Sequence, residues 1–185
     1  MGCYSIVNLP WDENAGDEKR KPEVFITGAS VRGPRHSKDG TPCQDAWASF
    51  PVHGGGWVLT VADGLSSAAH AEEGAADAVS ISGETLASAL SQKRDADRSD
   101  LIHEAVRTAR EAIISRARSG GERPLAYAST LIILLFEDGQ VTLGHIGDGI
   151  VAGVGEEGSI ILSAPEAGEY ANETACLVQD DWEDH

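Results

Sequence analysis

Cysteine, aromatic residues and basic residues are all scarce in this chain of 185 residues. Its three cysteines, Cys3, Cys43 and Cys176, lie far apart, which excludes a disulfide framework and a zinc ribbon and is typical of a reducing cytoplasm. Only 14 Lys and Arg stand against 30 Asp and Glu, and this net charge of −16 disfavours nucleic acid as a partner. No apolar run reaches the roughly 20 residues that cross a bilayer. We therefore expect a cytoplasmic protein with neither a nucleic-acid nor a membrane partner.

The chain divides into a leader and one folded domain. Residues 1–23 mix charges and prolines without a period, and we expect a poorly ordered leader there. Residues 24–185 suit a single domain, and a hydrophobic fraction of 41% argues against disorder. With only 3 Phe, 3 Tyr and 1 Met, the core is expected to consist of Ala, Val, Ile and Leu.

The predicted elements follow the order of strands, two helices and strands again. Strands are predicted at 24–29, 45–50, 57–62, 129–136, 141–146, 150–154 and 159–162. Helices are predicted at 67–90 and 100–118, the second with Ser99 or Asp100 as its N-cap and Gly120-Gly121 at its end. The polar stretch 30–44 is predicted to be a loop. This order indicates an α+β fold in which a helix pair packs against antiparallel sheet.

Three aspartates stand at strand ends or beside glycine. Asp63 ends a buried strand and precedes Gly64, so that its carboxylate and the next backbone carbonyl can face one small hard cation. Asp148 lies in the segment 147–149, which we interpret as a hairpin turn, and Asp45 begins the second strand. If these loops share one edge of a sheet, their oxygens suit Mg²⁺ or Mn²⁺.

Each aspartate also has a purely structural interpretation. Asp-Gly is a common turn dipeptide, so Asp148 alone is more typical of a turn, and Asp45 alone would be an ordinary acid at a strand edge. For Asp63 the two interpretations are evenly balanced. Composition and spacing therefore predict an α+β protein with a candidate divalent-metal site and nothing more specific.

Five short segments, taken together and in order, carry a more specific signal. They are residues 40–46 (GTPCQDA), 61–65 (VADGL), 128–131 (ASTL), 145–149 (HIGDG) and 168–174 (GEYANET). Their order and spacing resemble the metal-dependent protein phosphatases of type 2C, in particular a bacterial branch of that family, over about residues 24–177. The resemblance implies an α/β/β/α sandwich of two antiparallel sheets flanked by helix pairs, with the two predicted helices as one pair.

The resemblance also implies an activity and a set of ligands. The activity would be hydrolysis of phosphoserine or phosphothreonine in a phosphorylated protein, by in-line attack of a water activated by two Mn²⁺ or Mg²⁺ ions. Asp63 would bridge the two ions, and the Gly64 carbonyl would bind one of them. Asp45 would contribute directly or through a water, and Asp148 could hold a third ion.

The chain departs from the family pattern where the substrate phosphate is expected to bind. The usual arginine is replaced by Gly40 and Thr41, so Arg35 or His36 in the same loop is the expected substitute. For His36, a solvated loop histidine is an equal alternative. Gln44 replaces an acid and removes one negative charge, although its neutral amide can still orient a water.

The family pattern continues with two further metal-binding aspartates beyond the matched segments. This sequence ends in residues 180–185 (DDWEDH), which we interpret as a polar tail. The resemblance then implies a domain that is incomplete at its C-terminus, as a fragment or a natural truncation, and weak or inactive as a phosphatase. The alternatives are a catalytically inactive binding or regulatory module, a fragment of a longer enzyme and a different metallohydrolase.

Overall fold

A four-stranded antiparallel sheet, covered on one face by two long helices, forms the main body of the structure. The computed structural model describes residues 4–8, 24–156, 158–165 and 174–180. Helices and antiparallel sheets alternate in blocks along the chain, as the sequence order indicates. The predicted α+β fold is confirmed. Among the described residues, no helix combines the length and the apolarity that crossing a membrane requires.

The elements match most of the predicted spans to within a few residues. The strands are β1 (Tyr4–Asn8), β2 (Phe25–Ala29), β3 (Asp45–Pro51), β4 (Gly56–Asp63), β5 (Leu131–Glu137), β6 (Gln140–Ile146), β7 (Val151–Gly155) and β8 (Gly158–Ser163). The helices are α1 (Pro34–Asp39), α2 (Ala71–Gln92) and α3 (Arg98–Ser119), and a short 3₁₀ helix spans Pro124–Tyr127. The two long helices are the pair that the apolar periodicity predicts.

The described strands form three antiparallel sheets. The largest has the strand order β3–β4–β5–β6, while β1 pairs with β2 and β7 pairs with β8. The register of the first pair in the large sheet sets Asp45 opposite Asp63. The turn between β5 and β6 is a tight hairpin with positive φ at both Asp138 and Gly139, as the dipeptide Asp-Gly favours. The β3–β4 register therefore brings Asp45 and Asp63, two of the predicted site residues, to one end of the large sheet.

The core lies between the large sheet and the pair α2 and α3. Val58, Ile133 and Leu135 of the sheet are fully buried, and they face helix surfaces that are rich in alanine. The buried helix residues include Ala71, Ala75, Ala78 and Leu86 of α2, and Ala105, Ala109, Ile113 and Ala117 of α3. The core thus consists mainly of small and branched aliphatic side chains, as the composition predicts.

The N-terminus of α3 lies slightly earlier than predicted. Asp97 is the N-cap, because its Oδ1 accepts hydrogen bonds from the backbone amides of Ser99 at 2.8 Å and Asp100 at 3.2 Å. The prediction of Ser99 or Asp100 as the cap is therefore wrong: their amides are the donors that a cap satisfies. At the other end the helix closes at Gly120, as predicted.

Three further segments differ from the sequence prediction. Within the predicted loop 30–44, Pro34–Asp39 forms the short helix α1, whose first turn suits proline. Within the predicted leader, Tyr4–Asn8 pairs with β2, a partner that local composition does not show. The segment 147–149 is not a hairpin turn, because β6 pairs with β5 whereas β7 pairs with β8.

Part of the last predicted motif and most of the polar tail lie outside the described residues. Residues 166–173 and 181–185 belong to this group. Asp180 is described, and its exposed carboxylate lies 3.8 Å from the guanidinium of Arg110. Just before it, Leu177 is fully buried and donates its N–H to the carbonyl of Ser129 at 2.9 Å, so this segment packs against the start of β5.

The cap of α3 gives a direct test of the observed helix start. Asp97→Ala leaves two backbone amides without their acceptor, and we expect it to lower the free energy of unfolding by about 1 kcal/mol. Urea denaturation measures the loss. Ser99→Ala is the matched control and should change stability by no more than about 0.5 kcal/mol. A larger loss in Ser99→Ala than in Asp97→Ala would contradict the assignment.

Candidate functional site

Asp45 and Asp63 lie directly opposite each other at one end of the β3–β4 ladder. Asp45 is the first residue of β3 and Asp63 is the last of β4, so the strand register pairs them. Directly opposed residues of an antiparallel pair project from the same face, with their Cβ atoms roughly 5 Å apart. The two carboxyl groups are therefore close enough to share a hydrogen bond.

A cleft of about 240 Å³ opens beside this pair at the edge of the large sheet. Its walls come from α1, from the ends of β3 and β4, and from loops around β5 and β6. The lining residues are His36, Gln44, Asp63, Gly64, Leu65, Ser66, Thr130, Asp148 and Thr174. Most of the site residues predicted from the sequence are brought together here. A second hollow, of about 380 Å³, is lined by residues of α3 alone, so it does not bring residues from different elements together.

Gly64 lies where three backbone segments approach closely. Its N–H donates to the carbonyl of Gln44 at 3.0 Å. A Cβ at this position would lie 2.6 Å from the carbonyl oxygen of Ala71 and 2.8 Å from that of Gln44. A side chain would therefore force the end of β4 away from α2 and from Gln44. The glycine is needed for the position of the strand end that carries Asp63.

The backbone of Asp63 is held by Thr130, which belongs to the segment 128–131 and is not among the predicted site residues. The hydroxyl of Thr130 accepts a hydrogen bond from the Asp63 N–H at 2.9 Å. The N–H of Thr130 donates to the Asp63 carbonyl at 2.8 Å. Threonine before an apolar strand is an ordinary strand-forming residue, so its only sequence signal is its place in the segment 128–131.

Asp148 reaches the cleft from the loop after β6. Gly147, just before it, has a φ of +117°, which an L side chain rarely adopts, and a Cβ there would lie 2.4 Å from Cγ2 of Thr130. The Asp148 Oδ2 accepts a hydrogen bond from the Thr174 hydroxyl at 3.4 Å. Across the ranges that the structure describes, no three His, Cys, Asp or Glu side chains form a group that could hold a metal ion by themselves.

The residues predicted to bind substrate divide into two groups. His36 lines the cleft from α1, and Gln44 lines it with only 7% of its surface exposed. The Arg35 side chain is 90% exposed and lies 3.9 Å from Asp39 on the same helix, so it points to solvent and not into the cleft. Of the two substitutes predicted for the missing arginine, His36 is the one that lines the cleft.

The environment of Asp63 strongly disfavours its ionised form. Burial, followed by the hydrogen bond to Asp45 and the negative charges of Asp45 and Asp148, raises the pKa of this carboxyl group from 3.8 to about 7. A divalent cation would replace the proton and offset this repulsion. The carboxylates and the backbone carbonyl of Gly64 are oxygen donors of the type that Mg²⁺ and Mn²⁺ prefer, so the residues present fit such an ion.

The structure thus combines an α+β fold with an acidic, oxygen-lined cleft at one edge of an antiparallel sheet. A family model described as Protein phosphatase 2C matches residues 32–185. This range contains α1, both long helices and every residue that lines the cleft. A search of curated proteins found no match. The chain belongs to the protein phosphatase 2C family.

The close approach at Gly64 predicts a cost for any side chain there. Gly64→Ala should lower the free energy of unfolding by about 1–3 kcal/mol, because the new methyl group would overlap two backbone carbonyls. Gly155→Ala is the control, since a Cβ at Gly155 meets no atom within 4 Å. It should stay within about 0.5 kcal/mol of the wild type. Equal stabilities for the two variants in urea denaturation would contradict the packing argument.

The raised pKa of Asp63 predicts a pH dependence of stability in EDTA. Between pH 3.8 and about 7 the folded state binds more protons at this group than the unfolded state, so stability is present at low pH and is lost as the pH rises through about 7. Asp63→Asn should remove this contribution, whereas the exposed Asp39→Asn should retain it. The same difference in urea midpoint between about pH 5 and about pH 8 in all three proteins would contradict the prediction.

Proposed function

We propose that the protein is a phosphoprotein phosphatase that hydrolyses phosphoserine and phosphothreonine with two divalent cations, Mn²⁺ or Mg²⁺. The observation that carries this proposal is the opposition of Asp45 and Asp63 beside Gly64 in the cleft. Membership of the protein phosphatase 2C family supports the reaction class. The substrate is a phosphorylated protein.

The acidic residues are assigned to the cations. Asp63 and the Gly64 carbonyl would hold the cations, and Asp45 would contribute directly or through a water. Asp148, on the opposite loop, is assigned to a third ion. When bound, the cations supply Lewis acidity, which activates a water for attack on phosphorus and stabilises charge on the phosphoryl oxygens.

The remaining residues of the cleft are assigned to the phosphorylated substrate. Gln44 is neutral and buried, so its amide can donate to a phosphate oxygen or orient a water without the repulsion that an acid would cause. His36 supplies positive charge when it is protonated. Arg35 points to solvent, and we assign it only to the part of the substrate outside the cleft.

Phosphate release with Mn²⁺, from p-nitrophenyl phosphate and from a phosphothreonine peptide, tests the proposal. Asp63→Asn should lower the rate at least about 100-fold, equivalent to about 2.7 kcal/mol of barrier, because a carboxylate that would hold the cations is lost. Glu111→Gln, which removes an exposed charge on α3, should leave the rate unchanged. Rates that persist when EDTA replaces Mn²⁺ would contradict a metal-dependent mechanism.

A catalytically inactive binding or regulatory module is the second candidate. It is favoured by one observation, that Asp148 does not join Asp45 and Asp63 in a three-residue metal-holding group within the described part of the chain. Such a module would bind Mn²⁺ or the phosphothreonine peptide without releasing phosphate. Calorimetric titration beside the rate assay separates the two candidates.

A further inference from the structure

Thr130 lies between the two loops that carry the acids of the cleft. Its hydroxyl and its N–H bind the peptide groups of Asp63 at 2.9 and 2.8 Å. On its other side, a Cβ added to Gly147 would lie 2.4 Å from the methyl carbon of Thr130 and 2.6 Å from its Cβ. The residue is only 8% exposed. One small side chain therefore contacts the loop of Asp63 and the loop of Asp148.

The hydroxyl acts where the regular strand pairing ends. The β4–β5 ladder stops at the pair of Val61 and Ile132, and pairing resumes only as an isolated bridge between Gly64 and Ser129. Between these two points, the Asp63 N–H donates to the Thr130 side chain. This side chain thus supplies the acceptor for the peptide that carries the central carboxylate.

The negative charges of the site make this contact important. Asp45 lies directly opposite Asp63 in the strand register and Asp148 lines the same cleft, so the ionised carboxylates repel one another. Repulsion favours any motion that separates the loops. A contact that holds the Asp63 peptide to β5 opposes this motion before a cation is bound.

We propose that Thr130 is a positioning residue for the metal site formed by Asp45, Asp63 and Asp148. This inference rests on the proposed function. The Thr130 hydroxyl holds the Asp63 peptide so that the carboxylate stays beside Asp45. Its methyl group packs under Gly147 and supports the loop of Asp148. Residues that orient metal ligands in this way typically contribute a factor of about 10 to 100 in metal affinity.

Two substitutions at this position separate shape from hydrogen bonding. Thr130→Val keeps the branched shape and loses the hydroxyl, which leaves the Asp63 N–H without this acceptor. Thr130→Ser keeps the hydroxyl and loses the methyl group. Thr60→Val is the matched control, because the Thr60 hydroxyl is buried in β4 and donates to the carbonyl of Val79 at 3.0 Å, away from the cleft.

The readouts are Mn²⁺ affinity by calorimetry and, without metal, the exchange rate of the Asp63 amide by NMR. Thr130→Val should weaken Mn²⁺ binding at least about tenfold and speed exchange, whereas Thr130→Ser should restore affinity to within about threefold of wild type. Thr60→Val should melt at a lower temperature but bind Mn²⁺ with unchanged affinity.

The outcomes distinguish this inference from the proposed function. Equal Mn²⁺ affinity in wild type and Thr130→Val, or equal losses in Thr130→Val and Thr60→Val, would overturn the role of Thr130. A wild-type chain that binds Mn²⁺ without hydrolysing phosphate would contradict the proposed activity and leave this inference supported by the affinities. A wild-type chain that binds no Mn²⁺ would overturn both.

Discussion

The register of β3 against β4 is the constraint on which the site depends. It sets two carboxylates, Asp45 and Asp63, side by side at the end of the ladder, where burial and the neighbouring Asp45 raise the pKa of Asp63. The arrangement persists because the register is specified elsewhere along the same strands. A slip by one residue would turn the buried Val58 and Thr60 away from α2 and expose them on the opposite face. The stability of the core thus offsets the instability of the site.

Close backbone packing fixes the positions of the neighbouring segments relative to these strands. Gly64 lets the end of β4 approach α2, and Gly147 lets the loop of Asp148 pass over Thr130. At both glycines a single methyl group would overlap its neighbours. A site built from rigid strand ends and tight contacts holds its ligands more precisely than one built from free loops. Asp45 and Asp63 stand on strand ends, and Asp148 stands on a loop that approaches Thr130 closely at Gly147.

The charge of the chain creates a difficulty for a phosphorylated substrate, and α1 offers a local solution. A net charge of −16 repels a phosphate group at long range. At the cleft itself, however, α1 contributes His36 to the lining, and the same short helix carries two further basic residues, Arg35 and Lys38. Gln44 is a neutral amide in the lining and adds no negative charge beside the acidic pair. Under the proposed function, the cations would offset the negative charge of that pair.

The sequence by itself determined the order of the elements, the spans of the two long helices and the position of Asp63 at the end of a buried strand. These features follow from local periodicity and from residues adjacent in the chain. The same is true of the hairpin at Asp138 and Gly139, whose dipeptide demands positive φ. Asp63 and Asp148 could be predicted as candidate ligands because each stands beside glycine, and Asp45 because it begins a strand.

Only the tertiary structure decided how those ligands are held. The contact of Thr130 with Asp63 joins residues 67 positions apart, and nothing in either local sequence requires it. The pairing of Tyr4–Asn8 with β2, the fold of α1 out of a polar stretch and the choice of Asp97 as the cap of α3 also emerged only there. Such features depend on which distant segments compete for the same hydrogen bonds and the same space, and local composition carries no record of that competition.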